Sequence, residues 1–138
     1  MSHIALLGCG SWGTTLAQIL ANKGESVRAW HYRKEFIDHL NSSRVNPLLP
    51  GQKLNSNIIF DSNISSTIEN AEFVILSVPS HAMRETINRI PDNFHTTLKL
   101  INTSKGIETN SLFTMSEVIL DSSKFTQEQI ISFYGPSH

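Results

Sequence analysis

The stretch IALLGCGSWGTTLAQIL, residues 4–20, decides the reading of this chain. Ile4 to Leu7 is a short apolar run that reads as a buried strand. Gly8, Gly10 and Gly13 follow at G-x-G-x-x-G spacing, and a helix follows them. Trp12, Leu16, Ile19 and Leu20 fall at i, i+4, i+7 and i+8, which predicts one apolar helix face. Lys23 and Gly24 supply a basic last turn and a C′ glycine. In a dinucleotide-binding turn each glycine has a separate task. Gly8 permits the tight turn, Gly10 lets a pyrophosphate approach the backbone, and Gly13 allows close helix–strand packing. The helix N-terminus then presents free N–H groups and a positive dipole end. The alternative is a glycine-rich turn that binds nothing; its position between a strand and a helix argues against that.

Outward from this stretch, strand and helix patterns alternate. Residues 27–30 (Val-Arg-Ala-Trp) read as a second strand and 34–40 as a helix carrying Phe36, Ile37 and Leu40. Residues 41–57, punctuated by Asn46-Pro47 and Pro50-Gly51, read as a long loop, functional or mobile. A short strand at 58–60 and a short helix at 65–71 come next. The continuous apolar run 73–76 reads as a strand buried on both faces. A helix over 82–90 points Met83, Ile87 and Ile90 inward, and residues 98–102 form a fifth strand. Ser111 is expected to cap a helix with Leu112, Met115 and Ile119 on one stripe. Residues 130–134 form a sixth strand. The pattern predicts a Rossmann-type, doubly wound α/β domain, a mainly parallel sheet with helices on both faces. Ligands in such sheets sit beyond the carboxyl ends of the strands. The loops after Leu7, Trp30, Leu76, Asn102 and Tyr134 are therefore the ones that carry function.

Composition sets the bounds. A chain of 138 residues is one domain's worth, and 39% hydrophobic content is ordinary for a globular protein. A net charge of −1 gives no basic patch for nucleic acid or an anionic membrane. No apolar run approaches a membrane span. Met1-Ser2-His3 leads directly into the first strand, so no signal peptide is expected and cytoplasmic location is. The single cysteine, Cys9, excludes an internal disulfide and reads as a small buried turn residue. The six histidines show no metal-ligand spacing, so no metal is expected.

Candidate ligand contacts follow from position. Ser11 and Trp12 open the first helix, where N–H groups face the pyrophosphate, although Trp12 also fits plain packing. An NAD-preferring site places an acid at the end of the second strand, about 20 residues past the turn. Here the run is Trp30-His31-Tyr32-Arg33-Lys34. Arg33 suits a 2′-phosphate through its planar fork, and Tyr32 suits the adenosine; a solvated basic helix start is the other reading. Lys105, beside Gly106, can hold a phosphate or polarise an oxygen, or be a surface lysine in a turn. The expectation is NADP(H) preferred, with NAD(H) possible.

Four stretches carry a resemblance: GCGSWGT at 8–14, SVPSHAMRE at 77–85, TSKGIE at 103–108 and YGPSH at 134–138. Together they resemble the bacterial NAD(P)H-dependent glycerol-3-phosphate dehydrogenases, over the whole chain and in motif order. That resemblance implies reversible reduction of dihydroxyacetone phosphate to sn-glycerol 3-phosphate, feeding phospholipid synthesis. It implies cofactor contacts at Ser11, Trp12 and Lys105, and substrate contacts at Lys105, Gly135 and Ser137, the last two otherwise readable as an ordinary strand-ending turn. It implies that residues 1–138 are the nucleotide-binding domain. A helical C-terminal domain, not contained in them, would supply the catalytic lysine. No catalytic residue is therefore assigned within the chain, which by itself is expected to bind nucleotide without turnover, and to self-associate or dimerise through an exposed domain interface. Cys9 stands where the family often has alanine, and Leu48 where it often has an aromatic. A non-catalytic NAD(P)-binding or sensing module, or another hydroxyacid or sugar-phosphate dehydrogenase, is the alternative.

Overall fold

A computed structural model describes residues 2–133. The sixth-strand residue Tyr134 and the expected substrate residues Gly135 and Ser137 lie outside them. Among the described residues there are six strands: β1 (His3–Leu7), β2 (Val27–Trp30), β3 (Ile58–Asp61), β4 (Ala71–Leu76), β5 (Leu100–Asn102) and β6 (Ile130–Ser132). Five α-helices alternate with them: α1 (Ser11–Asn22), α2 (Lys34–Ser43), α3 (Ile64–Ile68), α4 (Met83–Asn88) and α5 (Met115–Ser122). All strand pairs are parallel, in the order β3-β2-β1-β4-β5-β6. The expected doubly wound sheet is thus present, and its order reverses between β1 and β4. The register aligns Asp61, Trp30, Leu7, Leu76, Asn102 and Ser132 in one row across the carboxyl edge.

Alternation along the strands builds two cores. Leu6, Val27, Ala29, Ile58, Phe60 and Ile75 pack with Ile37 and Leu40 of α2 and with Ala17 and Ala21 of α1. Ala5, Leu7, Trp30, Val74, Leu76 and Leu100 point the other way, onto Ile68, Met83, Ile87, Val118 and Ile119. The helices are therefore divided between the two faces, α1 and α2 on one and α3, α4 and α5 on the other. Central strands buried on both sides need the continuous apolar runs seen at β1 and β4.

The first helix differs from the expected stripe. Its buried residues are Gly13, Thr14, Ala17 and Ala21, whereas Trp12 and Ile19 are 53% and 46% exposed. Leu16 and Leu20 pack only partly. The reason is the close approach of α1 to the sheet. A Cβ on Gly13 would lie 2.1 Å from the Gly8 carbonyl oxygen and 2.6 Å from Ser77 Oγ. Only small side chains fit a helix held that near, so the small residues at 13, 17 and 21 mark the buried face.

Other differences are local. Thr114, not Ser111, caps α5: its side chain accepts from Glu117 N–H and Glu117 reaches back, a reciprocal capping box. Leu112 consequently lies outside the helix, 74% exposed, with a positive φ of 64°. The helix read over 82–90 begins as a 3-10 turn at Ser80–Ala82 and becomes α only at Met83. Ala71 belongs to β4 rather than to α3, and β5 begins at Leu100. Helix α2 runs on to Ser43, shortening the long loop to 44–57. That loop is tied down: Asn46 Nδ2 donates to Cys9 O (2.9 Å) and to Thr14 Oγ1 (2.7 Å), and Gln18 bonds the backbone of Lys53 and Asn55. Among the described residues no helix is long and apolar enough to cross a membrane.

The two glycines of the turn should respond to a methyl group with losses of very different size. Gly13→Ala is expected to cost about 3 kcal/mol, the upper end of the overpacking range. Gly10 has an ordinary negative φ of −72° and nothing within 4 Å of its Cβ position. Gly10→Ala is expected to cost under about 1 kcal/mol as a helix-cap change. Urea unfolding of both variants checks this; equal losses would show that α1 does not depend on the Gly13 contact.

Candidate functional site

One open cavity of about 810 Å³ lies across the carboxyl edge, at the point where strand order reverses. Its floor is the glycine turn, residues 8–13. One wall is Trp30 at the end of β2 with His31 and Tyr32 after it; the opposite wall is residues 77–82 after β4, with Glu85 and Thr86 of α4 and Arg89 at that helix's C-cap. Thr103, Ser104 and Lys105 close the far end, and Leu48 reaches in from the 44–57 loop.

The floor is shaped by the turn's own chemistry. Gly8 has φ 117°, and its Cβ would lie 2.9 Å from the Ser77 backbone, so a side chain is excluded on both counts. Gly10 is the N-cap of α1, and no side chain caps the helix. Thr14 N–H is donated to Gly10 O at 2.9 Å, the first α-helical bond of α1. The N–H groups of Ser11, Trp12 and Gly13 thus belong to an open helix end facing the cavity. A cradle open above Gly10, with an uncapped positive helix end, is what an anionic phosphate group requires. Cys9 is spent on structure: its buried thiol donates to Trp30 O at 3.4 Å, and burial pushes its pKa up to about 12. No thiolate forms there near neutral pH.

The wall after β2 carries an aromatic ladder. Tyr32 stacks on His31 at 4.7 Å, and His31 meets Phe36 at 4.7 Å. His31 Nδ1 accepts the Arg33 N–H at 3.1 Å, so the neutral ring carries its proton on Nε2. Burial first, then the Arg33 charge, holds the His31 pKa below its ordinary 6.5. Arg33 is the N-cap of α2, exposed and beside Tyr32, but it does not itself line the cavity. Arg89 does: its guanidinium pairs with Glu85 at 2.9 Å and lies 5.8 Å from the Trp30 ring centroid. Neither Arg89 nor Glu85 is legible as a cavity residue in sequence, because the helix face that meets the cavity is set by docking.

The far end is built by buried hydroxyls. Thr103 Oγ1 donates to Leu76 O (2.8 Å) and Ser104 Oγ to Val78 O (2.6 Å). Asn102, fully buried, accepts Ser104 N–H at 2.9 Å, while its Nδ2 has no partner among the described residues. Lys105 follows, exposed at the rim. The cavity therefore gathers Gly8, Gly10, Ser11, Trp12, Gly13, Tyr32 and Lys105 and leaves Arg33 just outside its lining. Sequence reading missed Asn46, which braces the turn from beneath, and Glu108. The Asn-Pro pair suggested only a loop, though a buried asparagine bonding back to its neighbours is a recurrent loop anchor.

Glu108 is held by a bidentate fork from Arg84: Nε to Oε2 at 2.8 Å and Nη2 to Oε1 at 2.9 Å. Arg84 Nη1 continues to Asp121 at 2.7 Å, and Ser111 Oγ donates to Glu108 Oε1 at 2.5 Å. The Arg84 bonds first, then that of Ser111, lower the carboxyl from 4.5 to about 2. A carboxyl whose pKa falls on folding stabilises the fold above its unfolded pKa and loses that contribution as pH drops through the folded one. The stability gap between wild type and Glu108→Gln should therefore be full above about pH 5 and close between about pH 4.5 and 2. Thermal melts across pH 2.5–7 check it; a gap independent of pH would show that the carboxylate's charge is not what Arg84 holds.

Comparison with known proteins agrees with this geometry. The family described as NAD-dependent glycerol-3-phosphate dehydrogenase N-terminus matches residues 3–138. A glycerol-3-phosphate dehydrogenase [NAD(P)+] of Bacillus velezensis is 36% identical over 140 residues, covering 100% of this chain and 41% of that protein. One from Chlorobium limicola is 39% identical over 138 residues, covering 99% and 41%. The crystal structure of glycerol-3-phosphate dehydrogenase from Coxiella burnetii superposes with a TM-score of 0.80 at 28% identity, covering 99% of this chain and 42% of that one. The chain thus spans about two fifths of the length of the relatives it matches.

Proposed function

Since this chain belongs to the NAD-dependent glycerol-3-phosphate dehydrogenase N-terminal family, we propose that its cavity binds a nicotinamide dinucleotide. We propose further that the whole protein interconverts dihydroxyacetone phosphate and sn-glycerol 3-phosphate. The observation that carries the reading is the uncapped N-terminus of α1 at the switch point, open above Gly10. Backbone N–H groups of Ser11, Trp12 and Gly13 hold the pyrophosphate, while Gly8 and Gly13 keep the turn tight enough to present them. Tyr32, backed by His31 and Phe36, supports the adenosine. The exposed faces of Trp12 and Leu48 cover the dinucleotide from solvent.

The bound nicotinamide supplies hydride exchange with the substrate's C2 carbon. What this chain contributes is alignment: a floor, two walls and a rim cation that set reactant orientation, a large share of catalytic power in such reactions. Lys105 meets cofactor and substrate at the rim, and Gly135 and Ser137, which lie outside the described residues, are proposed as further substrate contacts. Proton transfer to the C2 oxygen is assigned to the remainder of the whole protein. Gly10→Val is the direct test, because the branched side chain enters the space the pyrophosphate needs. It should weaken NADPH binding by about 3 kcal/mol or more, the loss of at least one hydrogen bond to a charged group, with circular dichroism unchanged. Undiminished binding would remove the phosphate cradle. Intact binding without dihydroxyacetone phosphate turnover by the whole protein would favour a sensing module.

NADP(H) is the preferred form, through Arg33. The run after β2 places no acid before Glu35, and the exposed Arg33 directly follows Tyr32 of the cavity wall. Arg33→Ala should cost NADPH about 1.5–3 kcal/mol, the range for hydrogen bonds to charged groups, and leave NADH nearly unchanged. Fluorescence titration of both nucleotides checks this; equal losses would assign the arginine another role.

A further inference from the structure

We propose that Glu108 is a positioning residue: gripped by Arg84, it anchors the outer half of the loop that carries Lys105 and so sets where that lysine stands. The inference rests on the reading of Lys105 given under Proposed function. The loop between β5 and α5 has two fixtures. At its root, Thr103 and Ser104 bond the carbonyls of Leu76 and Val78, and Ser104 N–H bonds Asn102. Beyond Lys105 the chain turns at Gly106, whose φ is 114° and whose Cβ would lie 3.1 Å from Ser80 Cβ. Ile107 then pairs with Thr114 in an antiparallel bridge. Glu108 N–H is donated to Phe113 O and Leu112 N–H to Glu108 O, closing a tight turn.

That turn would swing as a unit were it not held from behind. The Glu108 carboxylate accepts the two-pronged fork of Arg84 and the Ser111 hydroxyl. Its side chain is only 19% exposed, so the pair is sheltered more than a surface ion pair. Arg84 sits on α4 between Met83, fully buried in the core, and Glu85, which lines the cavity. Its third bond, to Asp121, ties the same guanidinium to α5. Lys105 is therefore suspended between the β5 root and an anchor on the helix that forms the facing wall. Its ammonium has no ion-pair partner among the described residues, so only the backbone fixes its position. Displacements of about 1 Å at such a group cost large factors in binding or rate.

A double-mutant cycle in the full-length protein tests the inference, read as NADPH affinity by fluorescence titration. Lys105→Ala should weaken binding about tenfold, the loss of one charge-assisted contact. Glu108→Gln should weaken it about three- to tenfold, and the double variant should be no weaker than Lys105→Ala, because Glu108 acts through the lysine. Arg84→Lys keeps the charge and loses the fork; it should behave as Glu108→Gln does, and it replaces that variant in the cycle should Glu108→Gln not fold. Gln129→Ala, which loses bonds to His95 O and Leu98 O far from the loop, controls for stability. It should lower the melting temperature without moving affinity. A binding loss in Gln129→Ala as large as in Glu108→Gln, additive losses in the cycle, or Glu108→Gln binding as wild type would overturn the positioning role and leave the cavity's reading intact. Wild-type affinity in Lys105→Ala would remove both the lysine's assignment and the positioning built on it.

Discussion

Much of this structure depends on one contact, the approach of Gly13 to the Gly8 carbonyl, so close that a single added carbon would sit 2.1 Å from the oxygen. Ser77, from the end of β4, closes the same knot, with its hydroxyl directed at Leu7 O and Gly8 O and its N–H on Leu7 O. The contact draws the N-terminus of α1 down between β1 and β4, where the strand order reverses. Side chains normally hold a helix off its sheet. Removing them at this one crossing brings a helix end, with its unspent N–H groups, to the lip of the sheet. The electrostatics of the cavity floor thus come from packing, and no charged side chain is needed to make it attractive to an anion.

The rest of the carboxyl edge is arranged around that point. Parallel strands in register end in one row, so their following loops rise together on one side and cannot cross back. Two loops around the cavity are then pinned by polar bonds. Asn46 binds the 44–57 loop to the glycine turn, the hydroxyls of Thr103 and Ser104 bind the β5 loop to the end of β4 and the residues after it, and Glu108 binds its outer half to Arg84 of α4, which in turn bonds Asp121 of α5. These bonds are made inside or at the edge of the protein, where an unmet polar group is costly. They hold the loops in one arrangement without adding apolar surface. The result is a trough lined in part by two exposed apolar side chains, Trp12 and Leu48.

How far the sequence carried differs by element. Strand and helix order was legible, because β1 and β4 are continuous apolar runs and turn residues separate the elements. The parallel, doubly wound class followed from that alternation, while the strand order came from the structure. The glycine turn and Lys105 were legible as cavity-lining residues because they follow strand ends at the carboxyl edge, where such a cavity forms. The face of α1 was misjudged, since counting large apolar residues assumes a helix at normal distance from its sheet. The start of α5 was misplaced because Ser111 and Thr114 are both good caps, and only Thr114 has Glu117 three residues on.

By itself, then, the sequence determined the alternation of elements, the doubly wound parallel class of the sheet and the place of the glycine turn at the head of α1. Those features arise from local patterns: periodicity, glycine spacing and turn chemistry act over a few residues. Only the tertiary structure decided that Asn46 braces the turn 37 residues away, that Arg89 rather than Arg33 lines the cavity, and that Arg84 grips Glu108. Each of these joins residues brought together by helix docking and loop closure. A side chain's partner across such a gap depends on the rotation and distance at which the elements pack, and no short-range pattern encodes either.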